Sequence, residues 1–126
     1  MIKIALTTTA IGLAMCVAAA AETTKWNATE TNAVGIKSAS GTWTLNNDGG
    51  KLSGSANMQF DSGKTLDYKL DGTAEGEVYT IKLVDRTDDK KNCVWTGKPA
   101  ATASGRVLNG DVKCDNSKFS IRVGLQ

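Results

Sequence analysis

Apolar or small residues alternate with polar residues without exception from Lys51 to Phe60, the most regular stretch of the chain. The apolar or small positions there are Leu52, Gly54, Ala56, Met58 and Phe60. Because successive side chains of a strand point to opposite faces, this period of two predicts a β-strand with one buried and one solvated face. After the first 21 residues, no window shows apolar residues at the helical period of about 3.6 residues. The pattern therefore predicts an all-β protein.

Similar alternating rows follow along the chain and are separated by turn-forming residues. The predicted inward positions are Trp43, Leu45, Leu66, Tyr68, Leu70, Tyr79, Ile81, Leu83, Cys93, Trp95, Leu108, Gly110, Val112, Cys114, Phe119, Ile121, Val123 and Leu125. Gly, Asn and Asp recur between the rows at intervals of about 8 to 12 residues, which indicates hairpin connections. The segment from Asp71-Gly72 to Gly76 is predicted as one such turn, and Val34–Lys37 is a candidate early strand. The rows predict a seven- to eight-stranded antiparallel meander.

Each predicted strand has one apolar face, which must be buried against another such face. A meander buries it most simply by closing into an up-and-down barrel, or by curling into a half-barrel. A β-sandwich is the alternative, although Trp95, two residues after Cys93, does not match the immunoglobulin arrangement. Leu-x-Gly segments recur at Gly54, Gly72 and Gly110. Glycine in a strand is expected where the strand coils sharply or where opposing side chains need space.

Residues 1–21 have the composition of a bacterial signal peptide. Lys3 precedes an Ala-rich apolar run that ends in the small residues Ala19-Ala20-Ala21. Cleavage there predicts an exported protein, periplasmic or secreted, whose mature chain starts at Glu22 and has no membrane span. Cys16 raises the alternative of a lipoprotein, but Met15 is larger than the residue expected before a lipidated cysteine. The mature chain divides into an N-terminal arm or first strand at 22–40 and one β-barrel-like domain at 41–126.

The charge of the predicted mature chain is nearly balanced. The full sequence has 15 Lys and Arg against 13 Asp and Glu, and loss of Lys3 leaves 14 against 13. A chain with a basic excess of only one residue has no electrostatic footprint for nucleic acid or for an anionic membrane surface. The expected partner is therefore a protein or a small apolar ligand, and no nucleic acid.

Cys93 and Cys114 are the only cysteines after the leader, and an even count in an exported chain predicts one disulfide. If the two residues face each other on antiparallel strands, Trp95 lies opposite Val112. Both sulfur atoms then fall on inward positions of the alternating rows, as a bridge between neighbouring strands requires. The cysteine positions and the apolar rows thus predict the same strand register.

The sequence contains no histidine, which is the commonest general base and transition-metal ligand. With both mature cysteines in a disulfide, thiolate nucleophiles are also excluded. Asp85, Asp88 and Asp89 are interleaved with Arg86 and two lysines, which is typical of a solvated hairpin tip. That cluster lacks the glycine and the spaced acidic ligands of a calcium loop. We therefore expect no enzyme activity, no metal and no cofactor.

Gly41-Thr42-Trp43 resembles the Gly-x-Trp segment that opens the barrel of lipocalin-like and avidin-like proteins. The resemblance covers these three residues and the meander pattern. It implies a calycin-type small β-barrel and carries no binding residues over to this chain.

Two functional classes remain, and each implies different residues. A non-enzymatic binding module would hold a small apolar ligand or a protein partner at a barrel mouth, with Trp43, Tyr68, Tyr79 and Trp95 as candidate ligand-facing residues. The same four side chains would otherwise fill the core. The second class is an exported inhibitor or envelope-associated interaction protein acting through the 97–105 loop, with Lys98 and Pro99 as candidate contacts. A lined internal cavity would favour the first class, and a filled core the second.

Overall fold

A computed structural model describes residues 21–101 and 105–126. These residues form eight antiparallel strands, which pair in sequence order and close into a barrel. The strands are β1 (Glu22–Asn32), β2 (Lys37–Asp48), β3 (Lys51–Phe60), β4 (Thr65–Glu75), β5 (Val78–Val84), β6 (Cys93–Pro99), β7 (Val107–Lys113) and β8 (Lys118–Leu125). Pairing of β1 with β8 closes the barrel, so that neither the first nor the last strand leaves an unpaired edge. The predicted all-β meander barrel is confirmed.

The alternating rows of the sequence point into the barrel. Leu52, Ala56 and Met58 of β3 are buried, whereas Ser53, Ser55 and Asn57 between them are exposed. The same alternation in the other strands builds one continuous apolar core. Residues 33–36 and 85–92 form two of the four connections at one barrel end. This end, which also includes connections 61–64 and 114–117, is called the capped end below.

The predicted register of the cysteine-bearing strands is confirmed. Trp95 of β6 lies opposite Val112 of β7, and Cys93 and Cys114 form a disulfide with 2.02 Å between the sulfur atoms. The bridge lies at the capped end, directly after the connection between β5 and β6.

The structure corrects two local predictions. Val34 and Ile36 lie in the turn between β1 and β2 and are exposed, so they belong to no strand. Gly72 lies inside β4, opposite Leu52 and Ile81, and is not a turn residue. A Cβ atom at Gly72 would collide with the carbonyl oxygen of Thr80, so glycine is required there by the close approach of β5.

The N-terminal segment 22–40 is part of the barrel. It supplies all of β1 and the beginning of β2, and Trp26 and Ala28 of β1 are buried in the core. The predicted leader, residues 1–21, lies outside the described residues except for Ala21.

Candidate functional site

Three of the four candidate ligand-facing residues meet at the centre of the barrel. Trp43, Tyr68 and Trp95 are each no more than 3% exposed. The Trp43 ring lies edge-on to Tyr68, with 6.3 Å between centroids, and to Trp95, with 5.0 Å between centroids. Trp43 thus contacts both of the other side chains, and all three belong to the buried core of the barrel. Their role as ligand contacts stays a prediction.

Polar atoms of the central aromatic side chains all have partners inside the barrel. Trp43 Nε1 donates a 2.9 Å hydrogen bond to the Tyr68 hydroxyl, which in turn donates to Met58 Sδ at 3.1 Å. Trp95 Nε1 donates to the carbonyl oxygen of Ile121 at 3.0 Å. Burial raises the pKa of the Tyr68 phenol above its ordinary value, against the opposing effects of the Trp43 hydrogen bond and the Arg86 charge. Such pairing of buried hydrogen-bonding atoms is typical of a protein core.

The other candidate residues lie elsewhere. Tyr79 is half-buried near the start of β5, at the end of the barrel opposite the capped end. Lys98 and Pro99 belong to β6, where they pair with Asn109 and Leu108 of β7. The connection to β7 therefore begins at Ala100, and residues 102–104 of the predicted partner loop lie outside the described residues. The structure therefore does not bring Tyr79, Lys98 or Pro99 into the central group formed by Trp43, Tyr68 and Trp95.

The structure reveals a charged group at the capped end that the sequence did not predict. Arg86, in the connection between β5 and β6, turns inward, and its side chain has no exposed surface. Arg86 Nη1 lies 3.1 Å from Glu30 Oε1, and Nη2 lies 2.7 Å from Asp88 Oδ2. The prediction that the Asp85–Asp89 segment is simply a solvated tip is therefore wrong for Arg86 and Asp88. A buried cation needs paired carboxylates, and these two supply them.

Two aromatic rings complete the surroundings of Arg86. The Arg86 guanidinium carbon lies 5.0 Å from the ring centroid of Tyr68 and 4.9 Å from that of Phe119. These distances are within the range of cation–π attraction. We call Glu30, Tyr68 and Phe119 the cation cage, since these three residues come from strands β1, β4 and β8 and the cation comes from a connection.

The charge pairs that Arg86 makes shift the pKa values of Arg86 and Asp88. Burial lowers the pKa of Arg86, but the hydrogen bond to Asp88 and the charge of Glu30 outweigh burial and raise that pKa above its ordinary value. Burial also raises the pKa of Asp88, but the hydrogen bond and positive charge of Arg86 prevail and hold it below the ordinary value. Arg86 and Asp88 are therefore both ionised near neutral pH.

The sequence pattern of β1 could have identified Glu30 as a buried carboxylate. Trp26, Ala28 and Glu30 are spaced by two residues, so the alternation of β1 points Glu30 inward. A carboxylate at an inward position requires a partner. No local pattern marks Arg86, which is 56 residues away along the chain.

The second feature of the capped end is an exposed apolar turn between β1 and β2. Val34 is 77% exposed and Ile36 is 62% exposed. Asn32 orders the turn, since its Oδ1 accepts hydrogen bonds from the backbone N–H groups of both residues at 3.0 Å. We call residues 33–36 the apolar tip. A surface depression of about 400 Å³ adjoins the tip and is lined by Asn32, Ala33, Lys118 and Phe119, among others.

Comparison with known proteins supports the barrel fold and does not assign the chain to a protein family. No protein-family model matches the sequence, and no curated protein matches it. Among solved structures, the chain is similar to a de novo designed fluorescence-activating β-barrel, with a TM-score of 0.53 and 12% identity. The similarity covers 82% of this chain and 92% of the designed chain. At that identity it shows an eight-stranded antiparallel barrel and nothing about ligands.

The implied calycin-type resemblance finds support only at the level of the barrel. Gly41-Thr42-Trp43 lies in β2, whereas the resemblance places such a segment at the opening strand. Within the described residues, no helix is long and apolar enough to cross a membrane. Over the same residues, no group of three or more metal-ligating side chains is placed to hold a metal ion.

Proposed function

We propose that the protein is an exported, non-enzymatic interaction protein that binds a partner protein through the apolar tip. The observation that carries this proposal is the exposure of Val34 and Ile36 in an ordered turn. Among the described large apolar residues, Val78 is the only other exposed one, at 37%. Exposed apolar side chains grouped on an otherwise polar surface mark interaction sites.

Order in the tip supports its use in recognition. Besides the two bonds from Asn32 Oδ1, the Asn32 N–H donates to the carbonyl of Ile36 at 2.8 Å, and the Gly35 N–H donates to the carbonyl of Asn32 at 3.0 Å. A turn fixed before binding loses little conformational entropy on complex formation. Val34 and Ile36 are therefore suited to fill a pocket as anchor residues.

The shape of the tip favours a partner with an apolar pocket over a second copy of this chain. Two aliphatic side chains facing their own copies would fall well short of the roughly 800 Å² per partner that a stable interface buries. A concave partner surface can enclose the same side chains completely. The core, in which Trp43 packs against both Tyr68 and Trp95, likewise favours surface recognition over a small ligand inside the barrel.

Export is supported by the leader-like composition of residues 1–21 and by the disulfide, which is stable in an oxidising compartment. Periplasmic and secreted destinations are both compatible with these features. The resemblance to lipocalin-like and avidin-like proteins enters this proposal only as a barrel scaffold. Absence of histidine supports the non-enzymatic part of the proposal.

The test immobilises the mature chain, residues 22–126, and exposes it to the envelope and secreted fractions of the source cell. Val34→Ser/Ile36→Ser removes the apolar anchors, and Val78→Ser is the matched control at the other barrel end. We expect one protein to be retained by the wild type and by Val78→Ser and lost from the tip variant. With that protein purified, the tip variant should bind at least tenfold more weakly in calorimetry.

Three results would contradict the proposal. Equal binding by the tip variant would exclude residues 33–36 as the contact. Loss of binding only in Lys98→Ala/Pro99→Ala would move the contact to the connection between β6 and β7. Saturable binding of a fatty acid or an apolar dye, with quenching of tryptophan fluorescence, would favour a ligand inside the barrel.

A further inference from the structure

The cation cage has the composition of a receptor site for a guanidinium group. It offers a carboxylate, Glu30, and the rings of Tyr68 and Phe119, with ring centroids 5.0 and 4.9 Å from the guanidinium carbon that occupies it. A guanidinium is planar and weakly hydrated, so it can pair with a carboxylate while lying on aromatic surfaces. All three cage residues belong to strands of the barrel, whereas Arg86, which occupies the cage, belongs to a connection.

We propose that the capped end is a guanidinium-binding site that the chain's own Arg86 occupies, and that an external guanidinium ligand displaces Arg86. The ligand is an arginine side chain of a partner or a small alkylguanidinium. This inference goes beyond the proposed function and does not depend on the apolar tip.

The burial of Glu30 makes the exchange selective for a cation. Glu30 is 3% exposed, and among the described residues its carboxylate contacts, besides Arg86, only the Ser38 hydroxyl, at 3.5 Å from Oε2. If Arg86 left without a replacement, the Glu30 carboxylate would lose its countercharge, which is unfavourable. A second cation that enters the cage removes this cost, so it favours the lifted state of the connection.

The connection that carries Arg86 has few apolar anchors. Apart from Arg86, its residues 85–92 are exposed or half-exposed and polar. Polar contacts hold it to its neighbours: the Thr87 N–H donates to the carbonyl of Asp67 at 3.0 Å, and Asn92 Nδ2 donates to Asp115 Oδ2 at 2.8 Å. Segments with little apolar burial open at a lower free energy than the core.

Backbone conformation also favours release of this connection. Asp85, Asp89 and Asn92 have φ values of 56°, 63° and 54°, and they are the positive-φ residues other than glycine in the described chain. Such conformations cost energy for residues with a Cβ atom, although Asp and Asn adopt them more readily than most. The closed connection thus carries a local cost that lifting would relieve. Asp88 lies in the same connection, so it would leave with Arg86.

The first experiment titrates ethylguanidinium chloride into the wild type, Arg86→Ala, Arg86→Ala/Glu30→Gln and Arg122→Ala, at constant ionic strength. Arg122 is an exposed arginine and is the matched control. We expect saturable stabilisation of Arg86→Ala by ethylguanidinium at millimolar concentration, and none of the double variant. In the wild type and Arg122→Ala, Arg86 competes for the cage, so binding should be saturable but at least tenfold weaker.

The site of binding is followed by NMR, with an arginine-containing peptide as the second ligand. Resonances of Tyr68, Phe119 and residues 85–92 should shift with either ligand in the wild type, and Val34→Ser/Ile36→Ser should respond as the wild type does. Saturation by the peptide at a lower concentration than by ethylguanidinium would assign the site to protein partners, and the reverse order would assign it to small molecules.

Hydrogen exchange in the wild type tests the opening even if Arg86→Ala does not fold. The Thr87 and Asp89 amides, which donate to Asp67 and Arg86 carbonyls, should exchange through an opening well below global unfolding. If both amides exchange only through global unfolding, the proposal is overturned. It is also overturned if Arg86→Ala folds and ethylguanidinium does not stabilise it. The wild type is also titrated to one hundred times the ethylguanidinium concentration that saturates Arg86→Ala. If its NMR resonances do not shift even there, Arg86 is a fixed structural element and the displacement proposal is refuted.

Discussion

The indole Nε1 of Trp43 donates a 2.9 Å hydrogen bond to the hydroxyl oxygen of Tyr68 inside the barrel. The two residues come from β2 and β4, which are separated in the barrel by β3. Met58 Sδ of β3 accepts a hydrogen bond from the Tyr68 hydroxyl, so one short chain of polar contacts joins three strands. Aromatic side chains can fill the barrel without leaving a buried donor unpaired, because these contacts satisfy both polar atoms.

Tyr68→Phe should therefore destabilise the protein. The substitution leaves the Trp43 Nε1 donor buried and unpaired, which costs about 1–3 kcal/mol of unfolding free energy. Tyr79→Phe is the control, since Tyr79 is only half-buried, and it should change stability by no more than about 0.5 kcal/mol. Urea unfolding followed by circular dichroism measures both. Equal stability of Tyr68→Phe and the wild type would show that the hydrogen bond contributes nothing net.

Gly110→Ala should be strongly destabilising because of Trp95. A Cβ atom at Gly110 would overlap the Trp95 indole, and Trp95 has no exposed surface through which to move away. Overpacking of this kind costs about 1–3 kcal/mol, and the near-ultraviolet circular dichroism of the tryptophans should change. Gly124→Ala is the matched control, because nothing lies within 4 Å of a Cβ atom there. Similar effects of the two substitutions would contradict the packing of Trp95 over Gly110.

The charge pair of Arg86 and Asp88 predicts loss of stability in acid. Since Asp88 has a lowered pKa in the folded protein, its charged form favours folding above the unfolded value of about 3.9. This contribution is lost as the pH falls through that value towards the folded pKa. Asp88→Asn should be less stable than the wild type at pH 7, with a difference that shrinks below about pH 4.

Unfolding free energies of the wild type, Asp88→Asn and Asp89→Asn between pH 7 and pH 3 check this prediction. Asp89 is the exposed neighbour of Asp88, and asparagine tolerates its positive φ. The Asp89→Asn profile should follow that of the wild type. A constant gap between the wild type and Asp88→Asn over the whole pH range would argue against an ionised Asp88 as the source of stability.

Reduction of the Cys93–Cys114 disulfide should lower the melting temperature of the mature chain by several degrees. The bridge spans 21 residues, and a loop of that size contributes about 3 kcal/mol through restriction of the unfolded chain. Melting in excess reductant, with reduction confirmed by mass, measures the effect, and Cys93→Ala/Cys114→Ala gives an independent value. An unchanged melting temperature in both would mean that the bridge does not restrict the unfolded chain in this way.

Most of the fold was predictable because it depends on local periodicity. The alternation in β3 predicts a strand and its buried face, and the structure confirms both. The pairing of Cys93 with Cys114 predicts the register of β6 against β7, which the structure also confirms. Prediction failed at Asp71-Gly72, where the turn preference of the dipeptide is overridden by pairing with β3 and β5. β1 was weakly predicted because one of its inward residues is Glu30, which interrupts the apolar row.

The sequence by itself determined the strand pattern, the apolar face of each strand and the disulfide, since each follows from the spacing of residues in one strand or one hairpin. Only the tertiary structure decided that the meander closes through β1 and β8 and how the capped end is built. Glu30 and Arg86 are separated by 56 residues, and barrel closure through β1 and β8 brings Glu30, Tyr68 and Phe119 around one guanidinium. Such a group depends on the relative positions of distant strands, which local periodicity does not encode.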